Sequence, residues 1–422
     1  MNRSTYSLLW RLALPLVLGR LWWRGLREPG YRKHLGERLG HYGDQGAGWH
    51  TIWIHAVSVG ETRAAEPLVD ALMAAYPESR ILMTHMTPTG RATGAALFAR
   101  HGIRFQQSYL PYDLAPMVLR FMRHFTPRIC ILMETEVWPN LIAVCAKRGV
   151  PVALVNARLS ERSLRRAGRF GKLMTDAARA ITLVAAQTED DARRVRSLGV
   201  PNVEVTGSIK FDVVVPPAAV DAGAALRGRI GARPVLLCAS TRDGEEALIL
   251  DAFLRMDARP AGMLLLIVPR HPQRFDDVAK MAQARGLALA RRSGDGSVDA
   301  DVQVMLGDSM GEMFAYFAAS DCAFIGGSLL PLGGQNLIEA CALGKPVLIG
   351  EHTFNFAQIS DEAVEAGAAR RVRDAGDMLL QASTLLDDGA ARAAMGQRAA
   401  AFANRHRGAT ARTVELLRRH IY

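Results

Sequence analysis

From about residue 50 the chain alternates two kinds of segment. Short, continuously apolar runs are followed by longer stretches whose apolar positions recur every three or four residues. The runs TIWIHAV (51–57), RILMTHM (80–86), RICILM (128–133), PVALVN (151–156) and ITLVAA (181–186) read as strands. They do not alternate apolar with polar, so they suit a parallel sheet buried on both faces. TRAAEPLVDALMAAY (62–76) and WPNLIAVCAKR (138–148) read as helices between them. GSIKFDVVVPPAA (207–219) breaks the rhythm with Pro216-Pro217 and leads into a linker. A second series then follows, with PVLLCAS (234–240), GMLLLIVP (262–269), DCAFIGG (321–327) and PVLIG (346–350) as strands. Repeated βα units predict an α/β fold. The expected organisation is two Rossmann-like domains, 41–215 and 216–422, facing across a cleft with ligand at the C-terminal ends of the strands. The Arg-rich stretch from about 391 to 422 reads as helical, with no visible chemistry.

Residues 1–40 have a different pattern. SLLWRLALPLVLGRLWW (7–23) is apolar but interrupted by Arg11 and Arg20, and Pro15 is expected to kink it. Its longest charge-free run, Leu12 to Gly19, is too short for a hydrocarbon core of roughly 30 Å. Trp and Leu flanked by Arg suit a helix lying in a membrane interface, on the anionic cytoplasmic leaflet. A tilted span and an ordinary amphipathic helix are the alternatives. The charge changes this picture by its placement. Of a formal net +11, residues 1–40 carry +6. No basic block with interleaved aromatics appears in the body, so nucleic acid is not expected as a partner. Five scattered cysteines form no C-x-x-C pair, which argues against a disulfide framework or a zinc site.

Candidate chemistry gathers where predicted strands end. HAVSVGETRAAEPL (55–68) turns from strand to helix at Gly60 and puts Glu61 in the first helical turn. A partly desolvated carboxylate there can act as a general base, or it can simply cap the helix. ILMETEVWPNLI (131–142) ends a strand in Glu134-Thr135-Glu136, where mutual repulsion raises one pKa unless solvent and capping absorb the charge. In VTGSIKFD (205–212), Lys210 follows a Gly-Ser turn and is either an anion partner or a solvated surface residue. In the second half, VPRHP (268–272) presents Arg270 beside His271, and GDSMGEM (307–313) leads into a helix. IGGSLLPLGGQNLIEACALGKPV (325–347) places two glycine pairs before a helix expected to begin near Gln335-Asn336, whose free N–H groups would suit a phosphate. Glu339 lies three residues on, placed to accept ribose hydroxyls. The stretch is neither a P-loop nor a dinucleotide fingerprint. Asp299-Ala300-Asp301 resembles a metal-holding D-x-D but sits among turn residues. No H-E-x-x-H or serine elbow occurs and the 11 histidines are dispersed, so no metal is expected.

Taken together, HAVSVGE, MTPTG (86–90), YLPYDL (109–114), METEVWPN, NARLS (156–160), GSIKFD, PRHPQRF (269–275), GGSLLPLGGQNLIEA and HTFNF (352–356) resemble the 3-deoxy-D-manno-octulosonic acid (Kdo) transferases of Gram-negative bacteria. The resemblance runs from the N-terminal segment to about residue 360. It implies a GT-B fold and inverting transfer of Kdo from CMP-Kdo to the tetraacyl disaccharide lipid A precursor, at the cytoplasmic face of the inner membrane. Glu61 corresponds to the family's general base, and Glu134 and Lys210 to positions that stabilise the transition state. CMP contacts map to Pro269, Arg270, Met310, Gly311, Glu312, Asn336, Leu337, Ile338 and Glu339. Gln335 departs from the histidine of some relatives. CMP-Kdo is then a donor substrate, and no cofactor or obligate protein partner is implied. A GT-B transferase using a UDP-sugar and a non-catalytic membrane-associated nucleotide-sugar binder are the competing readings.

Overall fold

The computed structural model describes residues 1–43, 50–256, 259–294, 296, 298–405 and 407–421. Two compact units emerge, one formed by Met1–Asp212 with Arg407–Tyr422, the other by Val213–His406.

The first unit contains strands β1–β7: His50–His55, Ser79–His85, Phe105–Tyr109, Pro127–Met133, Val152–Ala157, Leu183–Ala186 and Val203–Val205. All are parallel, in the order β3-β2-β1-β4-β5-β6-β7. The order reverses between β1 and β4, so the crevice beyond the carboxyl ends of those two strands is the natural ligand position. Ile52, Ile54, Ile129 and Ile131 point to one buried layer, and Trp53, Cys130 and Leu132 to the other. Helices covering both faces explain why these strands are continuously apolar.

The second unit contains β8–β14: Val235–Thr241, Leu264–Pro269, Leu289–Arg291, Val304–Leu306, Cys322–Ile325, Val347–Gly350 and Ala369–Val372. These too are parallel, in the order β10-β11-β9-β8-β12-β13-β14, with the reversal between β8 and β12. Gly326 and Gly350 lie where backbone meets backbone. A Cβ on Gly326 would fall 2.5 Å from the Ser240 carbonyl oxygen, and one on Gly350 would overlap the Ser328 carbonyl. Only glycine permits that approach.

Two expectations are corrected. The stretch 62–76 is two helices, Val59–Ala64 and Glu66–Ala75, because Pro67 has no N–H with which to continue the first. The N-terminal helix is one element from Arg3 to Arg27, with Pro15 inside it. The C-terminal residues assigned to the second domain return to the first. Helix Ala409–Arg418 buries Ala409 and Leu417 in the first unit's core. Asp212 accepts the Gly408 and Thr410 N–H groups there, and Arg412 donates to the Thr206 carbonyl at 2.7 Å. The Arg-rich stretch is helical, as Gly389–Arg405 and Ala409–Arg418, and its apolar minority decides where the last helix packs.

The N-terminal helix also belongs to the first unit. Trp10 lies against Tyr112 with ring centroids 5.8 Å apart, and Ser7 hydrogen-bonds Asn140. Asn140 and Leu141 donate backbone N–H groups to the buried Asp113 carboxylate, which also faces Tyr6. Leu8, Leu12, Leu16, Trp23 and Leu26 share the opposite side of the helix and are exposed, Leu16 at 78%. No helix among the described residues is long and apolar enough to cross a membrane.

Candidate active site

In the first unit, β1 ends at His55 and the chain enters helix Val59–Ala64 through Ser58, whose side chain caps the helix by accepting from the Glu61 N–H. Glu61 returns the contact, in the reciprocal manner of a capping box. Its Oε1 accepts from the Ser58 hydroxyl at 3.1 Å and its Oε2 from the Val57 N–H at 2.9 Å. Both carboxylate oxygens therefore face the strand's end. Burial pushes the Glu61 carboxyl up to about 7; Glu136 and Glu134 add to the rise, and the Val57 N–H opposes it.

β4 ends at Met133, one strand over, and Glu134 follows in the left-handed region with φ 56°. A non-glycine residue held there stores backbone strain, which persists because neighbouring bonds fix the turn. The Glu134 N–H donates to the Val155 carbonyl and the Glu134 carbonyl accepts from Arg158, so β5 clamps the turn from both ends. Lys210 Nζ meets Glu134 Oε1 at 2.7 Å. Both side chains are about three-quarters buried, where an ion pair is less screened than at the surface. Lys210 is held by the turn Ile209–Phe211, and the Ile209 N–H donates to the Asn156 side-chain oxygen at 3.2 Å. Asn156 is itself left-handed, φ 53°, and fully buried in β5. One strand therefore positions both members of the pair. Burial also raises the Glu136 carboxyl, with Glu134 adding to the rise.

The structure thus brings Glu61, Glu134 and Lys210 to the carboxyl edge of β1, β4 and the β7-following turn. Sequence reasoning did not single out Asn156 or Ser58. The NARLS and HAVSVGE segments contain them, but the contacts that give them a role span 53 residues in one case and are only a local cap in the other.

In the second unit, Pro269 closes β9, and the Arg270 N–H donates to the Thr241 carbonyl at 2.9 Å. Met310, Gly311 and Glu312 follow β11 and precede helix Met313–Ala319; Met310 is exposed and Gly311 has φ 83°. Glu312 pairs with Arg292 at 3.0 Å and accepts from Ser309, which also bonds Tyr316. Asn336, Leu337, Ile338 and Glu339 follow β12. The helix expected near Gln335-Asn336 starts only at Ile338 and ends at Ala342. Asn336 precedes it and its side-chain oxygen accepts from the Ile338 N–H at 3.0 Å. Leu337 and Ile338 are buried. Topology puts all nine residues at or beyond the carboxyl ends of β9, β11 and β12, on the same edge of one sheet.

A residue that sequence reasoning passed over dominates that edge. Glu245 begins helix Glu245–Leu254 just after β8 and is fully buried. Its carboxylate accepts four backbone N–H groups: Arg242 at 2.9 Å, Gly327 at 2.6 Å, and Ser328 and Leu329 at 3.0 Å each. The glycine-pair loop after β12 therefore binds an internal carboxylate. Among the described residues no group of three or more His, Cys, Asp or Glu side chains is placed to hold a metal ion.

The sequence profile of 3-deoxy-D-manno-octulosonic-acid transferase (kdotransferase) matches residues 33–213. Over 427 aligned residues the chain is 46% identical to the 3-deoxy-D-manno-octulosonic acid transferase of Bordetella pertussis, covering 99% of each. Identity to the enzyme of the same name from Haemophilus influenzae is 37%, over 100% of this chain and 99% of the relative. Among solved structures, a UDP-GlcNAc 2-epimerase from Neisseria meningitidis has a similar fold, with a TM-score of 0.59 at 16% identity over 87% of this chain and 100% of that one. A glycosyltransferase from Rickettsia africae aligns with a TM-score of 0.57 at 11% identity, over 89% and 99%. Two parallel seven-stranded sheets with such neighbours are the GT-B architecture.

Proposed function

Because this chain belongs to the 3-deoxy-D-manno-octulosonic acid transferase family and is a glycosyltransferase, we propose that it moves Kdo from CMP-Kdo to the tetraacyl disaccharide lipid A precursor, with inversion and with Glu61 as general base. An acceptor glucosamine hydroxyl gives its proton to Glu61 as its oxygen bonds to the anomeric carbon of Kdo. The bond from that carbon to the phosphate oxygen breaks, and CMP leaves with the electron pair. Glu134, held by Lys210, faces the positive charge that develops on the sugar ring. CMP is already a stable anion on departure, so the reaction needs no resident metal. In the second unit, Pro269 and Arg270, Met310–Glu312 and Asn336–Glu339 contact the CMP moiety.

The observation that carries this reading is the setting of Glu61. It sits at the strand-order reversal beside the Glu134–Lys210 pair, with a carboxyl pushed up to about 7, where a base is matched to neutral pH. The test is CMP release from CMP-Kdo with the acylated acceptor, with and without a chelator, and competition by CMP against UDP. CMP-selective turnover that survives the chelator is expected. Preferential competition by UDP overturns the donor, abolition by the chelator overturns the metal-free step, and CMP-Kdo binding without turnover overturns the enzyme.

The exposed stripe Leu8, Leu12, Leu16, Trp23 and Leu26 supports a place at the cytoplasmic face of the inner membrane, where an acylated acceptor resides. Leu12→Asp, Leu16→Asp and Trp23→Asp together leave the docked side of the helix untouched. The triple variant is expected to move from sedimenting vesicles to the supernatant; unchanged sedimentation refutes the placement.

A further inference from the structure

The first unit encloses a cavity of about 290 Å³ between the β4–β6 edge of its sheet and helices Glu161–Phe170 and Lys172–Arg179. Its wall is apolar, built from Leu154, Ala167, Phe170, Ile181, Val195 and Leu198. Its rim is not: Glu134, Arg158 and Arg166 line it too. Protein interiors are normally filled to the density of an organic crystal. An open apolar space whose rim includes a residue of the Glu134–Lys210 pair therefore invites an apolar ligand group.

The helix over this space is unusual in its own sequence. In ERSLRRAGRF only Ala167 is buried. Arg162, Arg165, Arg166 and Arg169 are exposed, and none lies in an ion pair with a described residue. From Arg158 to Lys172 there are six basic residues and a single acid, Glu161. Arginine's planar fork suits carboxylate or phosphate oxygens. An apolar space and a row of guanidiniums on one helix together suit a ligand with an acyl tail and an acidic group.

We propose that this cavity is a subsite for one acyl chain of the acceptor, and that the arginines of helix Glu161–Phe170 meet an acidic group on the same glycolipid. The proposal rests on the reading of the acceptor as an acylated disaccharide. It goes beyond that reading by naming where a chain sits and by making the chain a determinant of specificity. The volume lies near the lower end of the range of roughly 300–1,000 Å³ usual for small-molecule sites, enough for one chain and not for several. The shared rim at Glu134 favours the acceptor over a bulk bilayer lipid, because a chain seated there tethers its own head group beside the Glu134–Lys210 pair.

The test uses the full chain and an acceptor carrying a diazirine at the end of one acyl chain. Irradiation is expected to label residues lining the cavity, within 134–137 and 154–200, and labelling confined to other segments overturns the subsite. Labelling there without sugar transfer supports the subsite while removing the function proposed above, so the two fail separately. Equal labelling by a diazirine-bearing phosphatidylglycerol in vesicles overturns the assignment to the acceptor. In kinetics, Ala167→Phe and, on the opposite wall, Val195→Phe fill the space. Each is expected to reduce the kcat/KM preference for acylated over deacylated disaccharide at least tenfold. A preference unchanged in both variants overturns the proposal.

Discussion

Each sheet carries a glutamate soon after the strand that comes first in its chain order, and the two are held very differently. Glu61 follows β1 and accepts one backbone N–H and one hydroxyl. Glu245 follows β8 and accepts four backbone N–H groups. The difference lies in what the neighbouring strand supplies. β12 continues into Gly326-Gly327-Ser328, whose backbone curls around the Glu245 carboxylate. β4 continues into Glu134, which brings negative charge toward Glu61 and a lysine with it. A carboxylate saturated by backbone donors is a structural group. One with two donors and two acidic neighbours keeps an affinity for protons, and that is the property a base needs.

The sharpest way to break this contrast is to neutralise both glutamates. Glu61→Gln keeps the shape and is expected to lower kcat by about 10²–10⁴-fold with the fold intact. Glu245→Gln turns an amide N–H toward donors, and each charged hydrogen bond lost destabilises by about 1.5–3 kcal/mol. A fall in melting temperature is therefore expected for that variant. If Glu245→Gln melts normally while Glu61→Gln turns over normally, the two roles have been assigned the wrong way round. Next in size is Lys210→Met, which strips Glu134 of its counter-charge. By analogy with the loss of one transition-state donor, kcat is expected to fall about 10²-fold, measured at saturating donor.

Acidity sharpens the comparison further. With the Glu61 carboxyl at about 7, kcat/KM should rise tenfold per pH unit below that value and level off above it. An ascending limb near 4.5, the ordinary value, would mean that burial does not shift Glu61. Stability moves the other way. The raised folded-state pKa makes ionised Glu61 unfavourable in the fold, so Glu61→Gln gains stability over the parent above pH 7. That gain fades as pH falls toward the ordinary carboxylate range. The smallest effect is expected from Glu136→Gln. Removing one acidic neighbour moves the ascending limb to lower pH, and a limb that stays put removes Glu136 from the account.

The sequence pattern revealed the long central strands because burial on both faces leaves a continuous apolar run. It missed Phe105–Tyr109, Leu289–Arg291 and Ala369–Val372, edge strands with half-open faces that tolerate Gln and Arg, and Val304–Leu306, which is buried but only three residues long. Glu61, Glu134 and Lys210 were legible as residues at strand ends and in family motifs. Their arrangement was not, because Glu134 and Lys210 come from distant segments and the turn that carries Lys210 is fixed by Asn156 in a third. Glu245 was hidden for the same reason. TRDGEE reads as an ordinary first-turn cap until the loop 82 to 84 residues further on closes over it. The arginines of Glu161–Phe170 were in plain view, but totals over the whole body diluted them.

Completion of the first unit by helix Ala409–Arg418 has a consequence for biosynthesis. When Asp212 leaves the ribosome, the apolar surface that Ala409 and Leu417 will cover is still bare, and almost 200 residues of the second unit must follow. At roughly 5–20 residues per second that is an interval of about 10–40 s. The second unit is contiguous and can fold as it emerges, while its elder neighbour waits with an open groove. A released chain that ends at residue 406 should therefore show a protease-resistant second unit beside a first unit that still engages hydrophobic-binding chaperones. Release of those chaperones would then follow the emergence of residues 409–418, rather than the end of either sheet.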